Sequence, residues 1–281
     1  MNGNLKQILK NVLLTLANIM LSINIRISKT TVDRQRILDF LAYVKPVKTN
    51  HELIRIGCDT DGGYLVPNDL ENVEICFSPG VSKVAAFEAD LTKKGIKCFL
   101  ADYSVQAPPI SNSLIHFEKK YIGVKESDVF MTLENWVSRH GENKSDLILQ
   151  MDIEGAEYGV LIDASSETLR KFRIMIIEFH YLDNLSDRIG FQLIDLAFAK
   201  ILKDFEVVHI HPNNNDKPVN YKGVLIPPLM EFTFLRKDRI SYKSDFSSFP
   251  HELDRKNVAN YTDFALPECW YKHVNPTQLQ L

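Results

Sequence analysis

The chain has 281 residues, 45% hydrophobic and 25% charged, with 33 basic and 36 acidic side chains and a net charge of −3. That composition excludes disordered and fibrous classes and leaves one large globular domain or two small ones, with no basic field for nucleic acid. The four cysteines (Cys58, Cys76, Cys98, Cys269) are widely spaced, with no CxxC and no zinc spacing, so reduced thiols in a cytoplasmic protein are expected.

Residues 1–49 differ from the rest, with eight Lys/Arg against two Asp. Asn11 to Ile25 carries no charge, yet fifteen residues fall short of the roughly 20 that span a bilayer. Leu13, Leu14, Leu16, Ile19, Met20 and Ile23 recur at helical spacing, and Arg26 and Lys29 follow. Two readings stand: an amphipathic helix in peripheral contact with a membrane through residues 1–30, or a helix packed on its own domain. A second helix is predicted over Val32 to Val44 and ends before Pro46. Asp61-Gly62-Gly63 between two β-prone runs, Leu53 to Gly57 and Tyr64 to Pro67, predicts a hairpin whose turn could also line a pocket mouth.

From Val73 the pattern alternates. Val73 to Phe77 reads as a strand, Ser78 to Ser82 as a tight turn, Ala85 to Lys94 as a helix closed by Gly95, and Ile96 to Ala101 as the next strand with Asp102 at its end. An acid about 20 residues after a glycine turn is the spacing that holds a ribose hydroxyl pair. A third strand region follows at Ile115–Gly123, then a helix capped by Thr132. Leu147 to Met151 is an apolar run ending in Asp152-Ile153-Glu154-Gly155-Ala156-Glu157, which predicts a buried strand delivering carboxylates to a turn before a helix. Phe172 to Phe179 is a further buried strand, Phe191 to Leu202 an amphipathic helix, and Phe205 to His211 with Glu231 to Leu235 an antiparallel pair. Residues 240–281 show no periodicity and are expected to wrap the surface.

Leu149 to Glu157 resembles the K-I-D-V-E-G-x-E signature of FkbM-type, S-adenosylmethionine-dependent methyltransferases, and Thr132-Leu133-Glu134-Asn135 is similar to that family's T-L-D-D segment. Asp61 to Tyr64, Phe77 to Val81, Phe87-Glu88 and Ile177 to His180 resemble a subgroup with a shortened glycine loop. The resemblance covers residues 52–237. It implies an α/β, Rossmann-like class I methyltransferase fold: a mostly parallel sheet with a C-terminal antiparallel strand, over residues 50–240. Residues 1–49 would be an N-terminal helical segment and 241–281 an extension. It further implies S-adenosylmethionine as cofactor, with Ser78, Gly80 and Ser82 near its methionine end, Asp102 on the ribose, Tyr103 near the adenine and Asp152 near the sulfonium. The acceptor would be a hydroxyl on a sugar, a glycan or a secondary metabolite.

Such an acceptor must lose a proton. His180 and His211, which follow strand ends, are the candidate bases. A second route is a divalent cation between Asp152 and Glu178, Mg²⁺ or Mn²⁺ given oxygen ligands, although no metal-binding motif is present. A nucleotide-sugar or NAD enzyme would want a complete GxGxxG, which is missing, and a non-catalytic module at the cytoplasmic membrane face is the remaining alternative.

Overall fold

The structure, a computed structural model, describes residues 31–272 except 82, 142, 143 and 247, together with residues 7, 11, 12, 15 and 16. The apolar segment 11–25 therefore lies largely outside the described residues, as do Ser82 and residues 273–281. No helix among the described residues is long and apolar enough to cross a membrane.

Seven strands make the central sheet: β1 (Ile75–Pro79), β2 (Lys97–Ala101), β3 (Ile115–Glu118), β4 (Leu147–Met151), β5 (Phe172–Phe179), β6 (Phe205–Pro212) and β7 (Met230–Arg236). Their order is β3-β2-β1-β4-β5-β7-β6. Neighbours are parallel from β3 to β5, and β7 inserts antiparallel to both β5 and β6. This is the expected class I methyltransferase fold. The chain builds outward from β1 through β2 and β3, then returns to lay β4 on the other side of β1. That reversal opens a crevice at the carboxyl ends of β1 and β4, where open α/β sheets bind ligands.

Strand side chains alternate between two cores. Phe77, Leu147, Leu149 and Met151 face one core, which α1 (Arg34–Tyr43), α3 (Leu133–Gly141), α4 (Glu157–Asp163), α5 (Ser166–Arg170) and α6 (Arg188–Ile201) cover. Cys76, Cys98, Ile148, Ile174 and Ile176 face the other, covered by α2 (Ala86–Lys93) and the hairpin Leu53–Gly57/Gly63–Pro67. Thr233 Oγ1 donates to Leu65 O at 2.7 Å and pins the hairpin to the sheet. Gln150 follows the parity of Ile148, so the last side chains of β4 and β5 on this face, Gln150 and Glu178, lie beneath the hairpin, near its Tyr64. All four cysteines are free, although Cys76 and Cys98 are register partners.

Three boundaries differ from the sequence reading. Helix α6 begins at Arg188 because the Asp187 carboxylate accepts the Ile189 and Gly190 N–H groups, a polar cap that precedes the apolar periodicity. The third strand region divides: β3 joins the sheet, and Tyr121–Gly123 pairs with Phe130–Thr132 instead. Residues 240–272 do more than wrap the surface. Lys243–Asp245 pairs with Val47–Thr49, and Leu266, Trp270 and Tyr271 are buried. Individual side chains rather than a periodic face anchor this extension, which is why no pattern announces it.

Candidate active site

Three strand ends converge on Gly80. Its φ is +89°, a region open to glycine. Its N–H donates to Ala101 O at the end of β2 (2.9 Å), and the Asp152 N–H after β4 donates to Pro79 O (3.2 Å). A Cβ on Gly80 would lie 1.5 Å from the Asp152 carbonyl oxygen. Asp102 therefore stands one peptide beyond the Gly80 contact, and Asp152 directly against it. The Asp102 carboxylate is buried and accepts the Ser104 N–H at 2.7 Å. Tyr103 is partly exposed beside it, its ring 5.4 Å from that of Tyr121.

Ser78 is fully buried, and its hydroxyl is committed to protein. Its Oγ lies within hydrogen-bond distance of both Glu88 Oε1 and Gln150 Oε1. One hydroxyl proton cannot serve two acceptors. Burial raises the Glu88 pKa against the opposing Ser78 hydrogen bond, which favours a shared proton along this chain. Gln150 Nε2 continues the chain to the Tyr64 hydroxyl at 3.2 Å. Beside this chain is a cavity of about 100 Å³, lined by Asp61, Gly62, Tyr64, Gly80, Lys83 and Asp152 among others. The Asp-Gly-Gly turn of the hairpin is thus also a wall of the pocket. Asp102 and Tyr103 do not line this cavity.

The acidic turn explains its own spacing. Glu154 (φ +57°) and Gly155 (φ +100°) are consecutive left-handed residues, and the turn they make points the N–H groups of Ile153 and Gly155 at Glu157 Oε1, both at 3.1 Å. Glu157 is completely buried and also holds His180 Nδ1 at 3.1 Å. The Tyr158 hydroxyl donates to the His180 carbonyl at 2.7 Å. His180 Nε2 is thereby directed at Glu154 Oε2 (3.4 Å) and Asp152 Oδ1 (3.8 Å). Burial lifts the Asp152 pKa to about 7, opposed by His180 and assisted by Glu154, Glu157 and Asp61. Burial works against the His180 charge, but the Glu157 bond and the nearby carboxylates outweigh it and raise its pKa. The sequence reading placed Glu157 in its motif without giving it a task.

Glu178, Glu231 and His211 are side-by-side register partners on β5, β7 and β6. Burial, then Asp152 and Glu231, push Glu178 well above the usual carboxylate range, while Asn213 donates to it at 2.8 Å. Asn257 donates to Glu231 at 2.6 Å. His211 is held inside the protein by Asp254, 3.6 Å from its Nδ1, and Asp254 also meets His209 Nε2 at 3.0 Å. Asp152, Glu154 and His180 thus form one constellation with Glu178 at its flank, and His211 belongs to a second, which fastens the C-terminal extension to the sheet. Asn213, Asp254 and Asn257 escape sequence reasoning because each sits among other polar residues in an aperiodic loop, with nothing in the sequence to single it out.

This fastening has a pH signature. Burial disfavours the His211 charge, yet Asp254 and Glu231 more than compensate and raise its pKa to about 9. A pKa raised on folding gives stability that is full below the unfolded value of about 6.5 and is lost as pH rises through about 9. A shift of this order corresponds to about 3 kcal/mol. Asp254 is held far below the usual carboxylate range, where burial is outweighed by the two histidines, and its contribution is lost as pH falls below about 4. Thermal melts should therefore show Tm falling between pH 6.5 and 9, with that slope flattened in Asp254→Asn. An unchanged slope in the variant would show that the pair does not fasten the extension.

Residues 93–211 match the methyltransferase FkbM domain. No curated protein matches the chain. Among similar solved structures is a protein described as a hemolysin, from Streptococcus thermophilus (10% identity, TM-score 0.36), where the match covers 59% of this chain and 61% of that one. The chain thus spans less than two thirds of that relative's length. A TehB-like SAM-dependent methyltransferase from Corynebacterium glutamicum shows 14% identity and a TM-score of 0.30 over 58% of this chain and 80% of that one. A protein described as an RNA methyltransferase, from Pyrococcus horikoshii, shows 11% identity and a TM-score of 0.34 over 73% and 98%. The fold assignment rests on the strand order itself.

Proposed function

We propose, since residues 93–211 match the FkbM methyltransferase domain, that the chain transfers the methyl group of S-adenosylmethionine to a hydroxyl oxygen of a sugar, glycan or secondary-metabolite acceptor. The observation that carries this reading is the meeting of Gly80, Asp102 and Asp152 at one sheet rim. The small cavity over Gly80 takes the methionine end of the donor, and the nucleoside lies along the open rim toward Asp102 and Tyr103. The donor is a cation, and acidic groups dominate the rim: Lys83 lines the cavity, but Asp61 and Asp152 line it too, and Asp152, Glu178 and Glu231 are buried carboxylates whose pKa values are all raised. A sulfonium placed beside them relieves that penalty and is held by it.

Transfer is an in-line displacement, so positioning supplies much of the rate. The acceptor oxygen attacks the methyl carbon from the side opposite sulfur, and the electron pair of the broken bond stays on sulfur. The acceptor must also lose its proton, and Asp152, Glu154 and His180 face the place we assign to it. Glu178 lies at the flank, held by Asn213. His211, tied to Asp254, is read as part of the fastening rather than as the base.

Ligand binding at this rim should be visible as stabilisation. At 100 times Kd, S-adenosylmethionine or its demethylated product contributes about 2.7 kcal/mol, a Tm rise of roughly 5–10 °C for a domain of this size. NAD should give no shift. A shift with NAD and none with S-adenosylmethionine would transfer the rim to a nucleotide-binding role, and none with either would favour a non-catalytic module.

A further inference from the structure

We infer that Asp152, Glu154 and His180 form a divalent-cation site. One oxygen from each carboxylate and one imidazole nitrogen lie within 4.8 Å of one another. Ligand arms of about 2.1–2.2 Å meeting at 90–110° place neighbouring donor atoms about 3.0–3.6 Å apart. Of the separations, His180 Nε2 to Glu154 at 3.4 Å lies in that range, His180 Nε2 to Asp152 at 3.8 Å lies just above it, and the two carboxylates are within 4.8 Å of each other.

Two further observations favour a ligand over a plain ion pair. Asp152 Oδ1 is shielded from solvent and accepts no hydrogen bond, although the imidazole nitrogen faces it. His180 is also oriented from behind. Fully buried Glu157 holds Nδ1, itself fixed by the backbone N–H groups of Ile153 and Gly155, so that Nε2 is presented to the two carboxylates. A carboxylate that orients a histidine so that its other nitrogen meets a metal is the common outer-shell arrangement of metal-binding histidines. Glu154, 86% exposed on its left-handed turn, stands on the solvent side of the site. Two carboxylates and one imidazole suit Mn²⁺ and related ions better than Ca²⁺. This set differs from the pair Asp152 and Glu178 suggested by strand adjacency, in which Glu178 Oε1 accepts a hydrogen bond from Asn213.

The role of the ion rests on the methyl-transfer reading; its site does not. An acceptor hydroxyl bound at an open position has its pKa lowered and releases its proton to water. The alkoxide oxygen then bonds to the methyl carbon as the carbon–sulfur bond breaks, and the uncharged thioether product departs.

The test is a titration of the metal-free full chain with Mn²⁺ alone, read from the paramagnetic resonance signal of the free ion. One saturable site per chain is expected, weakened about tenfold or more in both Glu154→Gln and His180→Gln. Glu154 is exposed, so its variant should fold normally, and a melt of each metal-free variant verifies this. No saturable binding at millimolar Mn²⁺, or equal affinity in wild type and both variants, would overturn the site. Stabilisation by S-adenosylmethionine, measured in the same metal-free samples, separates the two ideas: if it persists while Mn²⁺ fails to bind, the ion is wrong and the methyl donor stands.

Discussion

Gly80→Ala should be the most damaging single methyl group in the molecule. The added carbon would sit 1.5 Å from the Asp152 carbonyl oxygen and 2.6 Å from its carbon, both backbone atoms that cannot swing aside. The φ of +89° adds a strain that a non-glycine residue cannot relieve. Relief requires β1 and β4 to part at the rim, which breaks the Gly80–Ala101 and Asp152–Pro79 bonds. We expect a loss of about 3–5 kcal/mol, a Tm lower by roughly 10–15 °C, and S-adenosylmethionine binding too weak to detect. Gly95→Ala is the control, since Gly95 has φ +81° but no atom within 4 Å of an added Cβ. Its cost should be about 1 kcal/mol with donor binding retained. Equal losses at both positions would mean that backbone strain alone, and not the closeness of the two strand ends, accounts for Gly80.

Asp152→Asn separates stability from chemistry in the opposite sense. Asp152 Oδ1 has no hydrogen-bond partner, and burial together with the repulsion of Glu154, Glu157 and Asp61 outweighs the attraction of His180 for its charge. Neutralising it removes a penalty, so the variant should melt at the same temperature as the wild type or higher. Turnover should nevertheless fall by about 100–1000-fold, roughly 3–4 kcal/mol, because the proposed reading puts this carboxylate nearest the transferred group. The decisive comparison is kcat/KM beside Tm in one preparation. Wild-type turnover in the variant would remove Asp152 from the reaction, and a collapse of Tm would make it structural.

The difference between these two positions also shows what the amino-acid sequence makes legible. A run of apolar residues that stops at a glycine or an acid reads directly as a strand meeting a ligand edge, which is how Gly80, Asp102 and Asp152 are found. Alternation along β1 and β4 likewise reports the two cores, Phe77, Leu147 and Leu149 on one side and Cys76 and Ile148 on the other. What cannot be read is a pairing between distant single residues. Asn257 reaches Glu231 and Asp254 reaches His209 and His211 from an aperiodic extension, so no spacing connects them. Glu157 lies in full view within Asp152-Ile153-Glu154-Gly155-Ala156-Glu157, but its work depends on the left-handed pair Glu154–Gly155, which aims two N–H groups at its carboxylate. Local chemistry announces which residues gather at the rim, and tertiary geometry decides which of them face one another, which are supports and which, like His211, belong to another assembly.

The central claim is that the rim of β1, β2 and β4 seats a positively charged methyl donor. Calorimetric titration of S-adenosylmethionine into the wild type and into Asp102→Ala measures this most directly. One site per chain is predicted in the wild type, with affinity reduced by at least about tenfold in the variant, since a ribose hydroxyl pair would lose a charged acceptor. Equal affinity in the two proteins, or heat with NAD and none with S-adenosylmethionine, would contradict it.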